Sequence, residues 1–381
     1  MSSSEHDPAT TSTATTQPPG EERKDSKPRD SKGWDGKLRL DKKVLSNERD
    51  DDAEAHSEAE ESEEEGFKVE DGPAPEQIGA DEDLLEDVDE DEEDIDLVHL
   101  RISSIPSLKL ERFKKLKRLC LRQNQIVYVE IPEELGPTLE ELDLYDNQIS
   151  HIKGFDTLTE LTSLDLSFNN LKHIKRLNHL SKLTELYFVQ NKISTIEGVD
   201  NLTNLKSIEL GANRIRTIEN LETLTSLEQL WLGKNKITEI SGLSTLTNLK
   251  LLSIQSNRLT SITGLENLVN LEDLHVSHNL LTSISGLEKN TKLRTVDISN
   301  NPIEHLSGLE TLVQLQELWA SYCKLSSFDE VEKQLKDKKG LQTVYFEGNP
   351  LQKNAPAMYR KKVMLALPHI IQIDATFTQQ V

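Results

Sequence analysis

Four side chains come closest to a reactive grouping: Asp273, His275, His278 and Asp297. Two carboxylates and two imidazoles are donors that a divalent cation accepts, and their spacing puts them on two adjacent strands. The same residue types on an open sheet face more often contact a partner or water, so no metal is expected. The sequence holds no Gly-x-x-x-x-Gly-Lys-Ser/Thr, no Gly-x-Gly-x-x-Gly, no His-Glu-x-x-His and no Cys-x-x-Cys. Cys120 and Cys323 have no neighbours that suggest a nucleophile. The expectation is a chain that is not an enzyme and carries no cofactor.

A second set of chemistry-bearing residues is defined by period. The stretch Leu227–Ile237, Leu-Glu-Gln-Leu-Trp-Leu-Gly-Lys-Asn-Lys-Ile, returns with small changes every 22 residues. Leu230 and Leu232 alternate as one face of a short strand, which turns Trp231 to the other. The position of Trp231, read through the repeats, is Cys120, Asp143, Asp165, Tyr187, Glu209, Trp231, Ser253, His275, Asp297, Trp319 and Tyr345. Two of the three tryptophans stand here. Aromatic side chains and carboxylates along one groove suit a protein partner with basic patches, because Trp and Tyr dominate binding hot spots. At about 4.8 Å per strand the groove is roughly 50 Å long.

Those positions require a solenoid. Leu-x-x-Leu-x-Leu-x-x-Asn-x-Ile is the leucine-rich-repeat signature, and the fold class expected is an α/β solenoid. A curved parallel sheet lines its concave side, with short 3₁₀ or helical turns on the convex side. The Asn position is filled by Asn124, Asn147, Asn169, Asn191, Asn213, Asn235, Asn257, Asn279 and Asn301, then by Cys323, then by Asn349. An Asn amide there can bond the coils on either side, and a cysteine only weakly, so this ladder should be loosest near Cys323. Eleven clear repeats follow a divergent first one, in which Val98, Leu100 and Ile105 hold the register and Ser103 replaces Asn.

Charge separates the chain into two parts. Residues 1–96 carry 34 acidic and 11 basic residues; the other 285 carry 33 of each. Residues 1–80 read as a disordered Ser-, Lys- and acid-rich tail. Residues 81–96 are an acidic segment in which Leu84, Leu85 and Val88 form a short helical lid. Residues 97–351 are about 12 repeats, 352–377 a carboxyl-terminal cap and 378–381 a tail. In the cap, Asn354 and Pro356 should open a helix through Tyr359, Val363 and Leu367, with Ile371 and Ile373 in a last strand. Four extra residues between Phe328 and Gly340 suit a convex helix. Ser57 and Ser62 lie in acidic settings that acid-directed kinases favour. The acidic balance argues against nucleic acid. There is no secretory signal and no long apolar run, so no membrane association is expected, and two free thiols suit a reducing compartment.

The runs Leu-Cys-Leu-Arg-Gln-Asn (119–124), Leu-Asp-Leu-Tyr-Asp-Asn-Gln-Ile (142–149) and Leu-Gly-Lys-Asn-Lys-Ile (232–237) carry a resemblance, as does the cap Tyr359-Arg-Lys-Lys-Val-Met-Leu-Ala-Leu-Pro368. From about Asp94 to Phe377 the chain resembles the leucine-rich-repeat regulatory subunits of type-1 serine/threonine protein phosphatase, the regulatory subunit 7 family. The resemblance implies a non-enzymatic subunit of nucleus and cytoplasm that binds the phosphatase catalytic subunit through its concave face. It would control activity, maturation or targeting in mitosis and chromosome segregation, with a further inhibitor protein as a third partner. The matching contact positions are Asp165, Tyr187, Glu209, Trp231, Asp297, Glu317, Trp319 and Tyr345; Tyr187 and Trp231 stand where the family often has Phe. The [Lys/Arg]-[Val/Ile]-x-[Phe/Trp] motif of most other subunits of this phosphatase is absent. The competing reading is a scaffold of the same repeat class, of the axonemal or splicing-particle kind.

Overall fold

The computed structural model describes residues 84–378; the tail readings, with Ser57 and Ser62, lie outside them. Three-residue strands recur once per coil. They are β1 (Asp94–Asp96), β2 (Arg118–Cys120), β3 (Glu141–Asp143), β4 (Ser163–Asp165), β5 (Glu185–Tyr187), β6 (Ser207–Glu209) and β7 (Gln229–Trp231). The series continues with β8 (Leu251–Ser253), β9 (Asp273–His275), β10 (Thr295–Asp297), β11 (Glu317–Trp319) and β12 (Thr343–Tyr345). These twelve pair in parallel in chain order, and β13 (Gln372–Ile373) and the antiparallel β14 (Thr376–Phe377) extend the same sheet. The middle residue of each strand points into the solenoid and is buried, from Ile95 to Ile373, together with the Leu, Ile and Phe of the convex turns.

The length of a coil decides its convex side. Corresponding strand centres lie 22 residues apart from Leu142 through Leu318, and there the convex chain makes separate turns such as Leu202 N–H to Val199 carbonyl. Coils with more chain use it for helix. Pro106–Leu108 and Leu110–Arg112 are 3₁₀ helices in the 24-residue coil between Ile95 and Leu119. Glu133–Leu135 is another in the 23-residue coil that ends at Leu142. The 26-residue coil from Leu318 to Val344 contains α1 (Phe328–Leu335). The Ser327 hydroxyl caps α1 by accepting the Glu330 N–H at 3.2 Å. The Glu330 carboxylate accepts the Leu306 N–H, stitching α1 to the coil before it. The 3₁₀ turns expected throughout the convex side are thus confined, among the described residues, to the two longer amino-terminal coils.

Three local expectations are corrected. In the first coil Ile95 and Leu97 hold the buried positions, while Val98 and Leu100 are exposed and Leu100, not Ser103, stands at the Asn place. The divergent sequence shifted the apparent register by three residues. Leu84, Leu85 and Val88 do pack on the core, but as a turn rather than a helix, because the Asp89 carboxylate takes the Asp91 N–H and bends the chain. At the other end Asn354 closes α2 (Pro350–Lys353) instead of opening a helix, and α3 (Tyr359–Ala366) begins after Met358. Pro350 at the first turn fixes the earlier start. Ile371 is exposed and precedes β13, so only Ile373 joins the core.

The Asn ladder is present. Asn235 is typical: its amide donates to the Leu210 and Leu232 carbonyls at 2.9 and 3.1 Å and accepts the Ile215 N–H at 3.0 Å. The residue before each ladder Asn up to Asn301 is left-handed, from Gln123 at φ 56° to Asn300 at φ 57°, and so is Tyr322 before Cys323 at φ 55°. A left-handed L-residue costs about 1–2 kcal/mol, and the bonds of the Asn hold each turn against it. At Cys323 the sulfur reaches only the Ile298 carbonyl at 3.3 Å and, weakly, that of Ser321.

Candidate functional site

The third residue of each strand forms one continuous column. Register pairs link Cys120, Asp143, Asp165, Tyr187 and Glu209. They continue through Trp231, Ser253, His275, Asp297, Trp319 and Tyr345. A strand turns residues i and i+2 to the same face, so the first residue of each strand forms a second column beside it, to which Glu317 belongs. All eight predicted contact residues therefore share one face of one sheet.

The amino-terminal half of this face is acidic. Asp165, Tyr187, Glu209 and Trp231 are half-buried. Glu185, missed in the sequence reading, lies two residues before Tyr187 and accepts its hydroxyl at 3.0 Å; the two-residue strand period was the available signal. Burial, followed by the charges of Asp165 and Glu185, pushes the Glu209 carboxyl up to about 7. Burial also raises Asp165, against two bonds from Ser167 that lower it. For Tyr187, burial and then the bond to Glu185 raise the phenol. The other residue missed is Arg122, which pairs with Asp143 at 2.8 Å and stacks 4.1 Å above the Tyr145 ring. Tyr145 in turn meets Phe168 at 4.7 Å. Arg122 follows the strand, so the strand pattern alone gave it no role.

The carboxyl-terminal half is aromatic and screened from solvent. Ser253, His275, Asp297, Trp319 and Tyr345 are all buried, where the strand alternation led one to expect an open face. The Trp319 ring reaches across the Asp297 strand to His275 at 6.0 Å and meets Tyr345 at 5.7 Å, both edge-on. Its indole N–H donates to Glu317 at 3.1 Å. Gln372 donates to the Tyr345 hydroxyl at 2.6 Å, and burial, then Glu317, pushes that phenol up to about 12. The Asp297 carboxylate accepts the Ser299 N–H at 3.0 Å.

Asp273, His275, His278 and Asp297 do not assemble into a metal site. His278 is in the left-handed turn beyond β9, and no three His, Cys, Asp or Glu side chains converge on an ion-sized space among the described residues. Cys120 and Cys323 are separate, buried thiols; burial raises both, Cys323 to about 11. Among the described residues no helix is long and apolar enough to cross a membrane.

Comparison with known proteins bears on both fold and partner. The family model "Leucine Rich repeats (2 copies)" matches residues 181–223, 225–267 and 269–311. The protein phosphatase 1 regulatory subunit SDS22 of Schizosaccharomyces pombe is 54% identical over 92 residues, 24% of this chain and 26% of that protein. Its namesake in Saccharomyces cerevisiae is 48% identical over 99 residues, 26% of this chain and 29% of that protein. Human protein phosphatase 1 regulatory subunit 7 is 59% identical over 46 residues, 12% of each chain. The matched segments thus span under a third of these relatives. Among solved structures, a leucine-rich-repeat protein of Leptospira interrogans superposes with a TM-score of 0.61 at 26% identity, covering 70% of this chain and 68% of that one. An internalin from Listeria monocytogenes gives 0.59 at 24% identity over 76% and 87%. The architecture is a leucine-rich-repeat solenoid. Over the matched segments the chain is similar to regulatory subunits of protein phosphatase 1, and relatives so named accord with a protein that is not an enzyme.

Proposed function

We propose that this leucine-rich-repeat protein is a regulatory subunit that binds the catalytic subunit of type-1 serine/threonine protein phosphatase through the concave face of its sheet. The observation that carries the reading is the register of the third-residue column, which gathers Asp165, Tyr187, Glu209, Trp231, Asp297, Trp319 and Tyr345, with Glu317 beside them, on one surface. The identity with named phosphatase regulatory subunits supports the choice of partner.

The two halves of the face have different tasks in this reading. Asp165, Glu185 and Glu209 crowd negative charge at a partly desolvated surface, and a basic patch on the partner would relieve their mutual repulsion. Trp319, held by Glu317, His275 and Tyr345, fixes the shape of the aromatic half of the face on which the partner docks. The subunit would steer activity, maturation or targeting of the phosphatase in nucleus and cytoplasm, during mitosis and chromosome segregation, with an inhibitor protein as a further partner. Purified full-length chain and purified catalytic subunit provide the test: a stable 1:1 complex on size exclusion is expected. If the two elute separately at micromolar concentration, the reading fails.

A further inference from the structure

The edge of the solenoid that follows the Asn ladder carries a column of cations. The residue immediately after the Asn is Lys192, Arg214, Lys236 and Arg258 in four successive coils. Their backbone settings are the same: each N–H donates at 2.8 Å to the coil before, to Leu171, Ile193, Ile215 and Ile237 respectively. The four side chains therefore leave one edge of the sheet one above another, at about 4.8 Å per coil. Lys236 is half-buried and the other three are exposed. Two positions further along their coils, Lys172 and Arg216 add exposed positive charge.

These cations are not matched by acids of the repeats. None of the six takes part in an ion pair among the described residues. Lys192 and Arg214 line a recess of about 400 Å³ with Asn170, Gln190 and Phe168, and Asp146 is the one acid on its wall. Downstream the column ends at Leu280 and Pro302, and the next cation at this position, Lys324, is paired with Glu304. The four cations thus form a positive ridge on a repeat body whose acids and bases balance overall.

We propose that this ridge docks the chain's own acidic stretch, residues 48–83. That stretch has 17 acidic and two basic residues, densest at Glu58-Ala-Glu-Glu-Ser-Glu-Glu-Glu65. Its reach is ample. Leu84 belongs to the coil of β1, and the ridge runs over the coils of β5 to β8, roughly 19–34 Å along the sheet at about 4.8 Å per strand. The 18 residues between Glu65 and Leu84 can span up to about 60 Å when extended. Exposed ion pairs are individually weak, but a tethered segment meets the ridge at an effective concentration in the millimolar range. A polyanion in trans lacks that advantage and meets a chain of net charge −23.

A nitroxide attached to the full chain through Ser194→Cys sits on the ridge, and the native Cys120 and Cys323 are buried. Backbone amide NMR signals of residues 57–65 should broaden in this sample relative to the reduced label. The broadening should vanish in 1 M salt, where the screening length is about 3 Å, and in the variant K192E/R214E/K236E/R258E. Replacing Glu58, Glu60, Glu61, Glu63, Glu64 and Glu65 by Gln leaves the repeats untouched and should abolish it as well. Docking on the ridge is overturned if the amides are not broadened at low salt, or if broadening survives either set of charge changes.

Discussion

The Trp319 indole N–H donates to the Glu317 carboxylate at 3.1 Å, and the two side chains share one face of β11. The bond joins the aromatic half of the concave face to its flanking acid, and the Trp319 ring is also fixed edge-on against His275 and Tyr345. A face whose side chains are held in one arrangement before binding loses little entropy when a partner docks on it.

Trp319→Ala should therefore weaken binding of the phosphatase catalytic subunit by on the order of 30-fold, about 2 kcal/mol. Trp319→Phe keeps a ring but loses the bond to Glu317, and its loss should be close to that of Glu317→Ala. Titration calorimetry on the two single variants and the double variant gives the coupling between them. Additive losses would mean that Glu317 acts on the partner directly rather than by orienting the indole.

Glu209 makes stability depend on pH. Burial and the charges of Asp165 and Glu185 raise its pKa from 4.5 to about 7 in the folded chain. Between those values the folded state binds more protons than the unfolded one, so stability falls as pH rises through the window and the cost is complete above it. Glu209→Gln should raise the denaturation midpoint at pH 8 by the equivalent of about 1–3 kcal/mol and have almost no effect at pH 4.5. Urea titrations at the two pH values decide it; an equal shift at both would assign the effect to packing.

Much of this was legible in the sequence because a strand has period two and the repeat has period 22. Leu230, Trp231 and Leu232 alone assign the inward and outward faces, and stacking carries that assignment from coil to coil. Legibility stopped where the pattern lost its landmarks. With no Asn in the first coil, Val98 and Leu100 took the apparent places of Ile95 and Leu97. The packing of Trp319 was hidden for a different reason. The ring contacts of Trp319 join His275, two coils away, and Tyr345, 26 residues away, and no local pattern encodes them.

The Asn ladder should be uneven in strength. Asn235→Ala would leave the buried Ile215 N–H without its acceptor and would remove one of the two amide donors of the Leu210 carbonyl, which keeps Asn213, a loss of about 1–3 kcal/mol. Cys323 is already the weak rung, since its sulfur makes long contacts to Ile298 and Ser321 only. Cys323→Asn should restore a donor and an acceptor and raise the midpoint by about 1 kcal/mol. Hydrogen exchange locates the effect: the Ile303 amide should exchange more slowly in the variant, and an unchanged rate would mean the rung does not form.

Two glycines at equivalent places in neighbouring coils make a sharper comparison. Gly286 has φ +107°, and a Cβ there would lie 1.8 Å from the Ile262 carbonyl oxygen; at Gly308, φ is +79° and the distance to the Ile284 oxygen is 3.3 Å. Both alanine variants incur the left-handed penalty of about 1–2 kcal/mol. Only Gly286→Ala must also push two coils apart, and in a solenoid each coil is stabilised by its neighbours alone, so the displacement weakens the interface on which both halves depend. Gly308→Ala should lower stability by about 1–2 kcal/mol, and Gly286→Ala by more, on the order of 3 kcal/mol, with broadened denaturation as the array loses cooperativity. Equal losses in urea titrations would show that the coils yield at Gly286 and that backbone conformation, not the carbonyl of the preceding coil, selects glycine there.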